Sequence, residues 1–133
     1  MRQEFVDRQE IYELVRLERF WRDQREWQKL ADMYVPESQV CTTWFLGAGR
    51  EFAAASRELY EKRGSRAKHM IWPAHCRVNG DRALCESPGT IYSRNLFGGY
   101  TVSQELPGDA RQDITDAYYA KADRWLETGE NFF

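Results

Sequence analysis

Cysteine is scarce in this 133-residue chain, and long apolar runs are missing. The three cysteines, Cys41, Cys76 and Cys85, show no Cys-x-x-Cys spacing, which fits a reducing cytoplasm and argues against a structural zinc site. No stretch of about 18 apolar residues occurs, so we expect no membrane-spanning segment. The segment Met1–Glu4 lacks the apolar run of a signal peptide. Together these features predict a cytoplasmic protein.

An excess of basic charge is also missing. The sequence has 19 basic and 21 acidic residues, for a net charge of −2, so no positive field attracts a polyanion and we expect no nucleic-acid partner. Histidine occurs only twice. The spacing of His69 and His75 matches no zinc signature, and no third ligand stands out. We therefore expect no metal.

Aromatic residues are abundant, at 14% of the chain. They carry a large apolar area, so a chain of this size either has a tight core or lines a cavity. For any single aromatic residue a place in the core is the alternative, but the excess as a whole favours a cavity for a ring-containing ligand. The candidate pocket walls are Trp44, Phe52, Trp72, Tyr92, Tyr118 and Tyr119.

Helical patterns dominate the first half. Apolar residues at spacings of three and four predict a helix over Gln9–Trp21. Asp23-Gln24-Arg25-Glu26 matches a capping box, which predicts that a second helix begins there with Asp23 as its N-cap. Pro36 ends this helix. A third helix is predicted over Arg50–Lys62, with Gly64 at its end.

Extended patterns dominate the second half. Gly47-Ala48-Gly49 predicts a turn, Asn79-Gly80-Asp81 predicts a type I′ hairpin turn, and Pro73 and Pro88-Gly89 predict irregularities. Residues 98–106 either extend a strand or form a loop, and Pro107-Gly108-Asp109 predicts another turn. Helices segregated from antiparallel strands indicate an α+β fold. The predicted strands are Ser38–Leu46, Lys68–Val78, Arg82–Leu96 and Ile114–Leu126.

Three segments of the chain resemble the nuclear transport factor 2-like superfamily, and within it the SnoaL-like and scytalone dehydratase branch. Residues 23–30 (DQREWQKL) are similar to the junction of the first two helices. Residues 68–71 (KHMI) are similar to a histidine-bearing strand, and residues 78–83 (VNGDRA) to the hairpin that follows it. The resemblance extends over roughly residues 10–133.

The resemblance implies a cone-shaped α+β barrel, in which the N-terminal helices pack on a curved, mainly antiparallel sheet around a pocket. It implies a single domain over residues 1–133 and a homodimer or homotrimer. Family members add one more strand after the turn at Gly129, so we expect the usual final strand to be missing, with Asn131–Phe133 as its first residues.

The resemblance also implies cofactor-free acid–base chemistry by an Asp and a His that face each other, here Asp23 and His69. The chain departs from the family at Arg22, where a Tyr is common, and near Tyr92, where scytalone dehydratase has a second His. The tyrosine expected on the first strand falls near Thr42, and Trp44 shares that face. Only the Asp–His pair is therefore carried over.

The function that we expect is that of a dehydratase or isomerase of a small cyclic, apolar metabolite such as a polyketide or a steroid. His69 would act as general base and acid, and Asp23 would orient it. The alternative is a non-catalytic module that binds a ligand or assembles subunits, like the β subunit of ring-hydroxylating dioxygenases. In that case Asp23 is only a helix cap and His69 a structural residue, as we expect for His75. Cys76 and Cys85 are expected to be small buried apolar residues rather than nucleophiles.

Overall fold

The computed structural model of the protein describes residues 2–64, 66–94, 100–105 and 112–130, with side chains described for 2–64, 66–93 and 119–130. The predicted turn at Pro107-Gly108-Asp109 and the expected strand start at 131–133 lie outside this part of the chain. Within it, none of the helices has the length and apolar character needed to cross a membrane.

The described part is a mixed α+β structure. Its helices are α1 (Arg2–Gln24), α2 (Trp27–Asp32), α3 (Gly49–Arg63) and α4 (Gln112–Thr128). Its strands are β1 (Gln39–Cys41), β2 (Leu46–Ala48), β3 (Arg66–Ile71), β4 (His75–Asn79), β5 (Arg82–Glu86), β6 (Gly89–Arg94) and β7 (Tyr100–Glu105). The α+β class expected from the sequence is confirmed.

The strands fall into three small sheets, ordered β1-β2, β3-β6-β7 and β4-β5. The expected strand over 68–78 is divided at residues 72–74, because Pro73 has no N–H for a ladder. The expected return strand is interrupted at residues 87–88. Across these two breaks the backbone N–H of Trp72 donates to the carbonyl of Pro88 at 3.0 Å. The irregularities predicted from the prolines are thus confirmed, and the described strands do not form one long sheet.

Helix α1 is longer than the apolar stripe predicts. Its first turns carry exposed pairs four residues apart, Gln3 with Asp7 and Glu4 with Arg8, which stabilise a helix without burying apolar area. At its other end, Arg25 adopts a left-handed conformation with φ of 60°. The N–H of Arg25 donates to the carbonyl of Arg22, and that of Glu26 to the carbonyl of Trp21, which is a Schellman motif.

The capping-box prediction is wrong. Asp23 lies in the last turn of α1, and Glu26, which makes no side-chain capping bond, is the N-cap of α2. The Schellman motif explains the difference, because it ends α1 at Gln24, one residue after Asp23, and leaves the Asp23 carboxylate free to bond elsewhere.

The predicted strand over 38–46 is instead a hairpin of β1 and β2. Thr42 makes the turn, since its side-chain oxygen accepts the N–H of Phe45 at 3.0 Å and its own N–H donates to the Phe45 carbonyl at 2.8 Å. Gly47 and Ala48 therefore belong to β2 rather than to a turn. Gly49 begins α3, which ends as predicted at Gly64, with φ of 56°.

The hairpin of β4 and β5 is confirmed, with Asn79 opposite Arg82. Its turn has a positive φ at Gly80 of 61° but not at Asp81, which fits type II′ rather than the expected type I′.

The last predicted strand is wrong, because residues 112–128 form α4. Ala122 and Leu126, four residues apart, are both buried and define its apolar face. The alanines and long charged residues of this segment favour a helix, whereas its aromatic residues alone favour a strand. Gly129, with φ of 74°, follows as the end of the helix and not as a hairpin turn.

Contacts divide the chain into two compact units. The hairpin unit comprises residues 1–15, 71–90 and 104–133, and its buried residues include Cys76, Ala122 and Leu126. The site unit comprises residues 16–70 and 91–103, and its core includes Leu30, Phe52, Ala53 and Tyr60.

Candidate functional site

Asp23 and His69 meet in the site unit although 46 residues separate them. One carboxylate oxygen, Oδ1, lies 2.6 Å from His69 Nδ1, and the other, Oδ2, accepts the backbone N–H of His69 at 2.6 Å. Both side chains are buried, with exposed fractions of 5% for Asp23 and 7% for His69. The carboxylate thus holds both the ring and the backbone of the histidine.

Two elements hold this pair. Asp23 lies in the last turn of α1, and His69 lies in β3, where burial alternates along the strand. Lys68 Nζ also donates to the backbone carbonyl of Asp23 at 3.1 Å. The strand therefore meets the end of the helix at two consecutive residues.

The hydrogen bonds define the histidine tautomer. A carboxylate can only accept, so His69 Nδ1 carries the proton, and Nε2 of the neutral ring then has a free electron pair. The Arg22 guanidinium, which can only donate, places Nη1 3.4 Å from Nε2. In this arrangement Nε2 is the basic atom of the pair.

Arg22 is the unexpected member of the site. It is only 7% exposed, and its Nε donates to Ser56 Oγ at 3.3 Å. Its guanidinium carbon lies 5.3–5.8 Å from the ring centroids of Trp44, Phe52 and Tyr60, within range of cation–π attraction. Burial, which disfavours the charged form, lowers the pKa of Arg22 from its ordinary value.

The fully buried Phe52 lies beside this cluster. Its ring packs against those of Tyr34 and Trp44 at centroid distances of 6.4 and 5.6 Å, and Glu18 accepts a hydrogen bond from the Tyr34 hydroxyl. Burial, followed by the charge of Glu18, raises the pKa of Tyr34. Gly49 begins α3 directly against Tyr34, with no room for a side chain, because an added Cβ would lie 2.2 Å from Tyr34 Cγ.

The structure brings together only some of the expected pocket residues. Trp44, 42% exposed, and Phe52, 0% exposed, contact each other beside Arg22. Trp72 belongs to the hairpin unit, where its indole N–H donates to Thr90 Oγ1 at 2.9 Å. Tyr92 is exposed on β6, and the side chain of Tyr118 lies outside the described residues.

Sequence reasoning missed Arg22, Ser56 and Tyr60 as site residues. The sequence singled out Arg22 only as a departure from the family, and Tyr60 lies within the predicted third helix without being singled out. A signal was present, since Arg22 lies seven residues after Val15 and eleven after Ile11, on the same helix face. At position 22 the buried face of α1 therefore carries a charged residue instead of an apolar one.

The remaining candidates lie elsewhere. His75 is exposed on β4, and Cys76 and Cys85 face each other across the hairpin as free thiols. Burial raises the pKa of both thiols, that of Cys85 to about 11, which opposes a nucleophilic role. Glu86 lies near Arg77 in an open cleft of about 310 Å³ in the hairpin unit. No group of three or more His, Cys, Asp or Glu in the described part of the chain could hold a metal ion.

Solved structures share this fold. A protein from Catenulispora acidiphila aligns with a TM-score of 0.65 and 14% identity over 77% of this chain and 76% of its own. Aln2 from a Streptomyces species has a TM-score of 0.59 and 15% identity over 77% of this chain and 74% of its own. A Catenulispora acidiphila structure in complex with S-DNPA has a TM-score of 0.61 and 16% identity over 74% of each chain.

At these identities the likeness shows a common α+β fold and no more. No protein-family model matches the sequence. None of the curated proteins matches it either.

Proposed function

We propose that the protein is a cofactor-independent dehydratase or isomerase of the SnoaL-like and scytalone dehydratase branch, in which Asp23 and His69 are the catalytic pair. The observation that carries this proposal is the two-point contact of the Asp23 carboxylate with the His69 ring and backbone, at 2.6 Å each. We also propose the family's cone-shaped single domain over residues 1–133, a homodimer or homotrimer, and a cytoplasmic location.

His69 Nε2 removes a proton from the carbon next to a carbonyl. The C–H electron pair forms the double bond of an enolate, and Asp23 stabilises the imidazolium that results. In a dehydratase the imidazolium then gives its proton to a departing hydroxyl, the C–O bond breaks and water leaves. In an isomerase it returns the proton to another carbon. Acid–base assistance of this kind accelerates a reaction by about 10²–10⁴-fold.

The proposed substrate is a small cyclic, largely apolar molecule, and we expect Trp44 to contact it. The half-exposed indole of Trp44 lies against Phe52 and beside Arg22, so it offers a flat apolar face next to the dyad. We assign Trp72, Tyr92 and Tyr118 to the substrate pocket only as a proposal carried over from the family. The structural neighbour in complex with S-DNPA supports ligand binding by this fold.

Deuterium exchange tests the general base without knowledge of the natural substrate. In D₂O, 2-tetralone loses its α-protons when a base removes them, and NMR measures the rate. We expect the protein to accelerate exchange above the buffer rate, and His69→Gln to abolish the acceleration. His75→Gln is the matched control and should keep it. Exchange at the buffer rate with the wild-type protein, or full activity of His69→Gln, would refute the proposal.

The second candidate is a binding or assembly module without catalysis. The complete burial of Phe52 and the low exposure of the dyad favour it, because a filled core leaves little room for a ligand. Such a module would bind sterols or polyketide-like aromatics, or a partner chain, without accelerating exchange. Tryptophan fluorescence titrations beside the exchange assay distinguish the two functions.

A further inference from the structure

Arg22 is a buried cation that makes no salt bridge with any residue that the structure describes, although Glu18 and Asp23 lie near enough for their charges to act on it. Its side-chain hydrogen-bond partners are Ser56 Oγ and His69 Nε2, and neither is a carboxylate. No carboxylate of the described residues lies within ion-pair distance of its guanidinium, whereas the neighbouring Arg19 is paired with Glu18. Burying an unpaired charge is costly, and three aromatic rings offset only part of that cost.

Tyr60 adds a second unsatisfied group. The residue is 6% exposed, and its hydroxyl has no hydrogen-bond partner among the described residues. Its ring centroid lies 5.5 Å from the Arg22 guanidinium carbon. A buried hydroxyl without a partner is rare in proteins and calls for an explanation such as a missing ligand.

The Arg22 guanidinium and the Tyr60 hydroxyl require the same kind of partner. A guanidinium and a phenol both donate to an oxygen, and an oxygen with negative charge accepts best from a cation. Because Arg22 lies 3.4 Å from Nε2, an oxygen bound to Arg22 would bring its adjacent carbon towards the base. Trp44 is the exposed ring among the three that contact Arg22, so we expect a ligand to approach the cluster from its side.

We propose that Arg22 and Tyr60 form an oxyanion site that binds the carboxylate or enolate oxygen of a flat cyclic ligand beside His69. This inference deepens the proposed function and rests on it, since it names the substrate class of the same site. A substrate would carry an oxygen that is negative, as in a carboxylate, or a carbonyl oxygen that becomes negative when the carbon next to the carbonyl group loses a proton. Arg22 would then stabilise the charge that His69 creates.

A matched pair of probes tests this site. The anion 2-naphthoate and its neutral analogue 2-naphthamide have nearly the same shape, and tryptophan fluorescence measures both affinities. We expect the wild-type protein to bind the acid at least about tenfold more tightly than the amide, because a charge-assisted hydrogen bond replaces a neutral one.

Three variants separate charge from shape. Arg22→Met should remove the preference for the acid, and Arg22→Lys, which keeps the charge, should retain part of it. Tyr60→Phe deletes one unbonded oxygen and should weaken acid binding by about fivefold, and amide binding by less, because the hydrogen bond to the amide oxygen is neutral. Arg57→Met, an exposed arginine of α3, is the control and should change neither affinity.

The outcomes separate this inference from the proposed function. Equal affinities for acid and amide, no binding of either, or a preference that survives in both Arg22→Met and Tyr60→Phe would overturn the oxyanion site. None of these results determines the outcome of the tetralone exchange assay, which tests His69 as the general base. If Arg22→Met also slows exchange the bound oxygen is an enolate, and if it loses only naphthoate binding the oxygen is a carboxylate.

Discussion

Asp23→Asn should reverse the tautomer of His69. The backbone N–H of His69 requires an acceptor, so the amide oxygen must take the place of Oδ2, and the amide nitrogen then faces Nδ1. Since that nitrogen donates, Nδ1 must accept, and the ring proton moves to Nε2. There it meets Arg22 Nη1 at 3.4 Å, donor against donor, and the basic electron pair is lost.

The energetic cost follows from the same contacts. One charge-assisted hydrogen bond becomes neutral and a donor–donor contact is created, so we expect Asp23→Asn to lower the free energy of unfolding by about 1.5–3 kcal/mol. Asp23→Ala leaves the ring N–H and the backbone N–H of His69 without their acceptor, and the loss of two charge-assisted hydrogen bonds should cost about 3–5 kcal/mol. Urea denaturation measures both values.

Nitrogen chemical shifts of the imidazole report the tautomer directly. The wild-type protein should show Nδ1–H at His69, and Asp23→Asn should show Nε2–H, with His75→Gln resolving the assignment. Asp32→Asn is the matched control, because Asp32 is exposed and accepts a hydrogen bond from the exposed Gln28. It should change stability by less than about 0.5 kcal/mol. An unchanged tautomer in Asp23→Asn, or a stability loss no larger than that of the control, would refute the reasoning.

Further predictions concern the support of the site. Gly49→Ala should lower the free energy of unfolding by about 1–3 kcal/mol, since the added Cβ would overlap the side chain of Tyr34. An unchanged melting temperature would contradict this close packing. Arg25→Gly should raise the free energy of unfolding by about 0.5–1 kcal/mol, because glycine adopts the left-handed conformation without strain, and this gain exceeds the loss of the exposed cation–π contact with Tyr60. A lower urea midpoint would count against it. Because the pKa of Tyr34 is raised by folding, the unfolded chain loses that proton first, and stability should fall as the pH rises above about 10. Between pH 8 and 11, the urea midpoint of Tyr34→Phe should fall less steeply with pH than that of the wild-type protein. At neutral pH the variant should be less stable, because its hydrogen bond to Glu18 is lost. Identical slopes for the two proteins would exclude Tyr34 as the cause of the pH dependence.

The backbone conformation was predictable from the sequence wherever a single residue type determines it. Gly64 and Gly80 adopt the positive φ angles expected at the end of α3 and in the β4–β5 hairpin. Pro73 lies where the strand is interrupted, because it cannot donate to a ladder. These features depend on sterics within a few residues, so the sequence alone determines them.

Segments with competing preferences were not predictable in this way. Residues 114–126 contain aromatic residues that favour a strand and alanines that favour a helix, and the buried face of Ala122 and Leu126 decides for the helix. Asp23 fits a helix cap locally, yet its strongest contacts lie 46 residues away, where no local rule applies.

The candidate site also combines residues that the sequence predicted with residues that only the tertiary structure revealed. The sequence, through its family resemblance, singled out Asp23 and His69 as a pair. Only the tertiary structure placed the Arg22 charge against Ser56, His69 and a set of aromatic rings, because the burial of a charged side chain depends on what surrounds it and not on its own polarity.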